Sequence, residues 1–149
     1  MKITETLKAT GCLTIVRSDQ NGKVLEKRQV PNLVVTVGKE FIASRMVGTT
    51  STVMTHMALG TSDTTPVAGN TTLGTEVGRA ALQAAANSGT SVTYGATFGT
   101  GVGTGGIKEA GIFNASGSGA GTMLCRTVFP VVNKGASDIV AITWVVTIS

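Results

Sequence analysis

The stretch that decides the fold is residues 138–149, DIVAITWVVTIS, because its side chains alternate in size along the chain. Val140, Ile142, Trp144 and Val146 are large and apolar, and most of the residues between them are smaller or polar. A period of two is typical of a β-strand that buries one face. The pattern therefore predicts a strand in the middle of a sheet, with its even-numbered side chains towards the core.

Other stretches carry the same strand pattern. Residues 11–32 predict a β-hairpin, in which the sequence Asp-Gln-Asn-Gly at 19–22 supplies the turn and Pro31 ends the second strand. Residues 75–89 are rich in alanine but are interrupted by Gly78, so that helix and strand both remain open and we favour strand. The remaining predicted strands cover residues 53–59, 91–98, 107–113 and 122–130.

One segment changes to a helical period. Apolar residues of residues 34–46 recur at spacings of three and four, and they include Val37, Phe41 and Ile42. Gly48 follows where a helix cap is expected. These features predict one α-helix near residues 36–47.

Together these elements predict a mainly β fold. About eight strands, separated by turn signals every 8–12 residues, are typical of an antiparallel β-sandwich, here jelly-roll-like. A chain of 149 residues fits a single domain over residues 1–149, with residues 1–10 as a candidate extended N-terminal arm.

The composition indicates a protein that works in an assembly. Charged residues make up 13% of the chain and hydrophobic residues 42%, against about 25% charged residues in ordinary soluble domains. A surface with so little charge suits burial in an oligomer. The alternative is a monomeric β protein whose surface is covered by threonine hydroxyls.

The net charge of +4 lies entirely in the first third of the chain. Residues 1–48 hold eight of the twelve basic residues and four of the eight acidic ones. Aromatic residues make up only 4% of the chain, which disfavours a stacking surface for nucleic acid. No apolar run is long enough for a membrane span, and residues 1–10 lack the apolar core of a signal peptide.

The residues that could bind metal or catalyse a reaction are few. Cys12 and Cys125 are far apart and His56 is the only histidine, so that a zinc site is not expected. We expect two buried thiols in a reducing compartment, with a disulfide as the less favoured alternative. His56 is expected to be a packed, hydrogen-bonded residue or an interface residue.

A glycine-rich stretch and one glutamate are the last candidates for chemistry. Residues 99–106, GTGVGTGG, resemble a phosphate-binding loop in composition, but the strand-like IKEAGIF follows instead of a helix. Glu109 has no second acid near it in sequence, and we expect a structural ion pair with Arg126, or with Arg79, or hydrogen bonds to amides of the glycine loop. The sequence predicts no catalytic residue, no metal, no cofactor and no enzyme.

The second half of the chain resembles small structural proteins of tailed bacteriophages. The resemblance covers residues 53–149 and is carried by the strand EAGIF at 109–113, a Gly/Ser turn, TMLCRTVFP at 122–130 and KGASDIVAITWVVTIS at 134–149. Modules of this kind occur in capsid decoration (cement) proteins and in tail-fibre or collar proteins.

This resemblance implies a virion component that is assembled in the cytoplasm of a host bacterium. The first hypothesis is a homotrimeric decoration protein on the capsid surface, which binds at junctions between major capsid proteins and needs no cofactor, nucleic acid or membrane. Its candidate contact residues are basic residues of the first third: Lys2, Lys8, Arg17, Lys23, Lys27 and Arg28. The alternative is a tail-fibre, collar or baseplate module that binds a tail protein or a host receptor through loops 99–106 and 115–121.

Overall fold

The computed structural model describes residues 1–49 and 52–149. Within those residues the chain forms nine β-strands and one α-helix. The elements, in chain order, are β1 (Ala9–Ser18), β2 (Val24–Val34), α1 (Thr36–Val47), β3 (His56–Gly60), β4 (Glu76–Ala81), β5 (Ala84–Ser88), β6 (Ser91–Phe98), β7 (Gly105–Phe113), β8 (Met123–Lys134) and β9 (Ile139–Ile148). The mainly β fold and the helix at 36–47 are confirmed.

All described strands belong to one antiparallel sheet with the order β4-β3-β7-β8-β2-β1-β9-β6-β5. The C-terminal strand β9 lies between β1 and β6, as its sequence predicts. Val140, Ile142, Trp144 and Val146 are all buried, with Trp144 fully enclosed. Their alternation with smaller side chains therefore identifies the residues of β9 that lie on the inner face of the sheet.

The sheet curls because two segments change hydrogen-bonding partner. Strand β2 pairs with β1 as far as Asn32, and then Leu33 and Val34 pair with β8. Between β4 and β5, the Leu82 amide donates to the Thr55 carbonyl and the Gln83 amide to the Gly95 carbonyl, at 2.8 Å each. Since only these two residues join the edge strands, the sheet closes towards a half-barrel.

The details of the sheet differ from the sequence-based expectation. There are nine strands instead of about eight, because residues 75–89 contain two strands, β4 and β5, that pair on opposite sides of the curl. A sandwich of two separate sheets is not confirmed, since every described strand is linked in one order. Strand β3 begins at His56 and not at residue 53, although Met54 is still buried.

The prediction that Pro31 ends β2 is wrong. Strand β2 continues through Pro31 to Val34, and Pro31 lies opposite Cys12 of β1. On the other side the Pro31 carbonyl accepts a hydrogen bond from Thr127 Oγ1 at 2.7 Å. Proline lacks an amide hydrogen, and it is tolerated because pairing with β8 begins only at Leu33.

The helix closes one end of the curled sheet. Gly48 ends it in the left-handed conformation, with φ of 68°, and the cap amide donates to the Ser44 carbonyl. A Cβ atom on Gly38 would lie 2.0 Å from the Leu124 carbonyl oxygen, so the glycine allows the helix backbone to touch β8. Phe41 and Ile42, on the same side of the helix, pack against the core.

The expectation of two buried thiols is wrong for one of them. Both cysteines are free, Cys125 is buried and Cys12 is exposed. The difference arises from the strand period, because Leu13 and Ile15 point into the core and the residues that alternate with them point outwards.

Candidate functional site

The most enclosed polar group of the described chain is the carboxylate of Glu109 on β7, which has no exposed surface. Its Oε1 accepts hydrogen bonds from the amides of Ser62 and Thr75, at 3.2 and 2.7 Å. Its Oε2 accepts from the amide of Gly74 at 2.9 Å and from Arg126 Nε and Nη2 at 3.0 and 2.8 Å. With five donors around it, this carboxylate is saturated and sealed, which suits a structural role.

Arg126 on β8 completes this arrangement. Its side chain is 2% exposed, and its Nη1 donates to Asn70 Oδ1 at 3.1 Å. The sequence analysis predicts an ion pair between Glu109 and Arg126, and in the structure Arg126 Nη2 lies 2.8 Å from Glu109 Oε2. The backbone amides come from residues 61–75 and not from the glycine-rich stretch 99–106. The pair therefore fixes the long β3–β4 loop onto the β7–β8 hairpin.

Arg79, the other partner considered for Glu109, belongs to a second ion pair. Its Nε lies 2.8 Å from Glu76 Oε1, and its Nη1 donates to the carbonyls of Ala115 and Ala120. The guanidinium carbon also lies 4.0 Å from the centre of the Phe113 ring. These contacts hold the 115–121 loop in place.

The two glycine-rich loops of the tail-module hypothesis lie at opposite ends of the strand that connects them. Strand β7 begins at Gly105 and ends at Phe113, so the 99–106 loop enters it at one end and the 115–121 loop leaves it at the other. A Cβ atom on Gly103 of the first loop would lie 3.1 Å from Leu59 Cδ1, and one on Gly78 would lie 2.6 Å from the Gly103 nitrogen, so this loop packs closely against β3 and β4. No single receptor-binding site therefore follows from their position.

The basic contact candidates lie at two ends of the molecule. Lys2 and Lys8 precede β1, whereas the others lie on the far half of the β1–β2 hairpin: Arg17, Lys23, Lys27 and Arg28. A strand of ten residues separates the two groups by about 30 Å. The structure therefore does not bring the six residues into one basic patch.

Part of the positive charge at the hairpin end is neutralised. Arg17 forms salt bridges with Glu26 at 3.4 Å and with Asp138 at 3.0 Å, and Arg28 also pairs with Glu26. A hydrogen bond from the Gly135 amide, and then the Arg17 guanidinium, lowers the pKa of Asp138. Lys23 and Lys27 remain exposed beside this network.

Strands β1, β9, β6 and β5 form the β9 half of the sheet, and the described residues place no charged side chain on its outer face. Cross-strand registers place Cys12, Val145, Thr93 and Ala86 side by side. We call this surface the neutral face, and it consists of outward residues of β1, β9, β6 and β5: Thr10, Cys12, Thr14, Val16, Ala141, Thr143, Val145, Thr147, Ser91, Thr93, Gly95, Thr97, Ala84, Ala86 and Ser88. Such a face loses little hydration energy when a partner covers it.

On the opposite face of the same strands, an apolar cleft of about 430 Å³ opens between α1, residues 53–54 and strand β5. Its lining includes Phe41, Ile42, Tyr94, Val146 and Ile148. Burial, and to a lesser extent the neighbouring Cys125 thiol, raises the pKa of the Tyr94 phenol to about 12. The phenol therefore lies at a poorly solvated position of the lining.

Other kinds of site find little support in the described residues. No three potential metal ligands cluster among residues 1–49 and 52–149. His56 is partly buried, and its Nδ1 lies 2.8 Å from Thr55 Oγ1. Within the same residues, no helix combines the length and the hydropathy needed to cross a bilayer.

Comparison with protein-family models, with curated proteins and with solved structures gives no match. The functional argument therefore depends on the surfaces described above.

The neutral face and the cleft were not found from the sequence. The signal for the face was present in the outward positions of strands that are rich in threonine and alanine, but it is visible only when the strand order is known. The cleft combines residues from α1, β5, β6, β8 and β9, and no local pattern links them.

We predict that replacing Glu109 by glutamine destabilises the fold by about 3–5 kcal/mol, because it leaves Arg126 as a buried charge without its counter-ion. The side-chain NH₂ group of the glutamine would also point its hydrogen atoms at backbone amides of the β3–β4 loop, which are donors themselves. Urea unfolding followed by Trp144 fluorescence measures the loss, and hydrogen exchange should show reduced protection at Ser62 and Thr75.

The matched control is the exposed pair of Lys108 and Asp63, of which Lys108 precedes Glu109 in sequence. Replacing Asp63 by asparagine should leave the unfolding midpoint unchanged, because solvent screens this pair. An unchanged midpoint for Glu109→Gln would contradict the structural role of the buried pair.

We predict that the Tyr94 phenol ionises at a pH of about 12 in the folded protein. Since Tyr94 is the only tyrosine, the near-ultraviolet absorbance of phenolate reports it alone. Because the pKa of Tyr94 is higher in the folded state than in the unfolded state, its contribution to the free energy of unfolding is fully present below the unfolded pKa, near 10. This contribution is lost as the pH rises towards 12. A midpoint near 10 before unfolding would show that the cleft is well hydrated.

Proposed function

We propose that the protein is a non-enzymatic virion structural protein that decorates a bacteriophage capsid, where it binds at junctions between major capsid proteins. The observation that carries this proposal is the neutral face, an uncharged surface across four adjacent strands. The low charge content of the whole chain and the resemblance of residues 53–149 to phage structural proteins also support it.

The mechanism that we propose is linkage between binding and capsid stability. A protein that binds only the mature shell stabilises that shell by its binding free energy. Repetition over many equivalent sites multiplies the effect. The neutral face suits this role because threonine, alanine and valine side chains can be covered with few unpaired charges.

The basic residues would act at the rim of this contact. Lys2 and Lys8 lie at one end of β1, and Lys23 and Lys27 lie at the other, so that they flank the neutral face. All four are exposed. Contacts of these lysines with acidic groups of the capsid would be weakened by salt, whereas the contact of the neutral face would not.

The compartment that we propose is the virion surface, after assembly in the bacterial cytoplasm. Two free cysteines, one of them exposed, suit a protein that is made where thiols stay reduced. We further propose that the protein acts as a homotrimer, since symmetric contacts bury the surface of low-charge subunits efficiently.

We predict that Cys12 is alkylated quickly in the free protein and is protected on purified capsids, because it lies inside the neutral face. Cys125 is the internal control, since it is buried and burial raises the pKa of its thiol, so that it should react only after unfolding. Mass spectrometry of trypsin digests quantifies both sites. Equal alkylation of Cys12 in free and capsid-bound protein would exclude the neutral face as the contact.

A charge placed on the neutral face should abolish capsid binding. Thr143→Lys puts an ammonium group at an exposed position of the face, whereas Ala43→Lys puts one on the exposed side of α1 as a matched control. We expect co-sedimentation with capsid shells to be lost for the first variant and kept for the second. Full co-sedimentation of a folded Thr143→Lys protein would contradict the proposal.

A further inference from the structure

The N-terminal arm, residues 1–8, leaves the fold beside the apolar cleft. Lys8 and Ser149 exchange backbone hydrogen bonds of 2.6 and 2.8 Å, and Ile148 lines the cleft. All residues of the arm are exposed. Two adjacent features with apolar surfaces, the arm and the cleft, are thus both left uncovered by residues 1–49 and 52–149.

The arm has the pattern of a β-strand with one apolar face. Ile3, Glu5 and Leu7 fall on one side of an extended chain, and the threonines and lysines of the arm fall on the other. Ile3 is 78% exposed and Leu7 76%. A strand of this kind is stable only when another surface covers its apolar side.

The cleft matches this face in its mainly apolar chemistry. Its lining is apolar except for Asn87, Arg45 and the Tyr94 hydroxyl, and Arg45 is the one charged residue among the described residues that line it. One wall is β5, which ends the strand order and, among the described strands, pairs with β6 alone. The cleft thus offers a strand edge, apolar walls and a single guanidinium to an arm that carries two apolar side chains and a carboxylate between them.

The arm of the same chain is poorly placed to fill its own cleft. Its last residue continues the antiparallel ladder of β1 with β9, so that the arm runs outwards along the direction of β1. A return would need a tight reversal, and residues 1–9 contain no glycine, proline, asparagine or aspartate. An extended arm of seven residues instead reaches about 23 Å beyond the fold.

We infer that the arm of a second copy of this chain occupies the cleft as an added strand along β5. Ile3 and Leu7 of that copy enter the apolar lining, and Glu5 faces Arg45. The contact joins two different surfaces, so that a rotation of one third of a turn between successive copies would close a ring of three, which is the trimer of the proposed function. The inference rests on that proposed self-association, but its test needs only the isolated protein and no capsid.

The test is light scattering coupled to size-exclusion chromatography over a wide range of protein concentration. We expect a trimer for the full chain and a monomer for the double variant Ile3→Asp/Leu7→Asp. The matched control is Thr4→Asp/Thr6→Asp, which adds the same charge to the opposite side of the arm and should remain trimeric. Hydrogen exchange should also show that the Ala84–Ser88 amides lose protection only in the first variant.

A charge exchange tests the register of the arm. Glu5→Arg and Arg45→Glu should each lower the fraction of trimer, and the two substitutions combined should restore it. Far-ultraviolet circular dichroism verifies that each variant is folded.

Three results would overturn the inference. The first is a full chain that is monomeric at every concentration. The second is an oligomer whose mass is unchanged in the Ile3→Asp/Leu7→Asp variant. The third is a monomer in which removal of the arm exposes β5, because this result would place the arm in the cleft of its own chain. Capsid binding by a protein that is monomeric in solution would leave the proposed function standing without the arm exchange.

Discussion

The buried carboxylate of Glu109 is the interaction on which the architecture depends. It gathers three backbone amides and one guanidinium at a single point, and so holds the β3–β4 loop against strands β7 and β8. Beneath this loop lies a second apolar cluster, which includes Leu73, Phe113 and Met123. The β7 half of the sheet is therefore buried on both faces.

The β9 half has no such cover among the described residues. Its inner face is buried by the main core, while its outer face is the neutral face. This asymmetry is the physical basis of the functional argument, because the uncovered outer face is also a face on which the described residues place no charged side chain. Ordinary soluble domains place charged side chains on such a surface, and their absence here is typical of a surface that a partner covers.

Local periodicity was enough to predict part of the structure. The alternation in residues 138–149 gave the orientation of β9, and the three- and four-residue spacing with Gly48 gave the helix and its end. The changes of partner in β2 and between β4 and β5 could not be predicted, because they depend on strands far away in sequence. For the same reason the prediction that Pro31 ends β2 is wrong.

The polar core shows the same limit of sequence reasoning. The sequence analysis predicts that Glu109 forms an ion pair with Arg126 or Arg79, or accepts hydrogen bonds from amides of the glycine loop, and Arg126 is the partner in the structure. The larger share of the donors comes from backbone amides of Ser62, Gly74 and Thr75, which have no signature in residue type. Cys12 likewise differs from Cys125 only in the face of the strand on which it falls.

The central claim is that this chain coats a capsid. The measurement that tests it most directly is the copy number of the protein in purified particles of the proposed parent phage, obtained by quantitative mass spectrometry against the major capsid protein. The account predicts a copy number comparable to that of the major capsid protein. A copy number as low as that of tail-tip or fibre proteins, or absence from the particles, would contradict it.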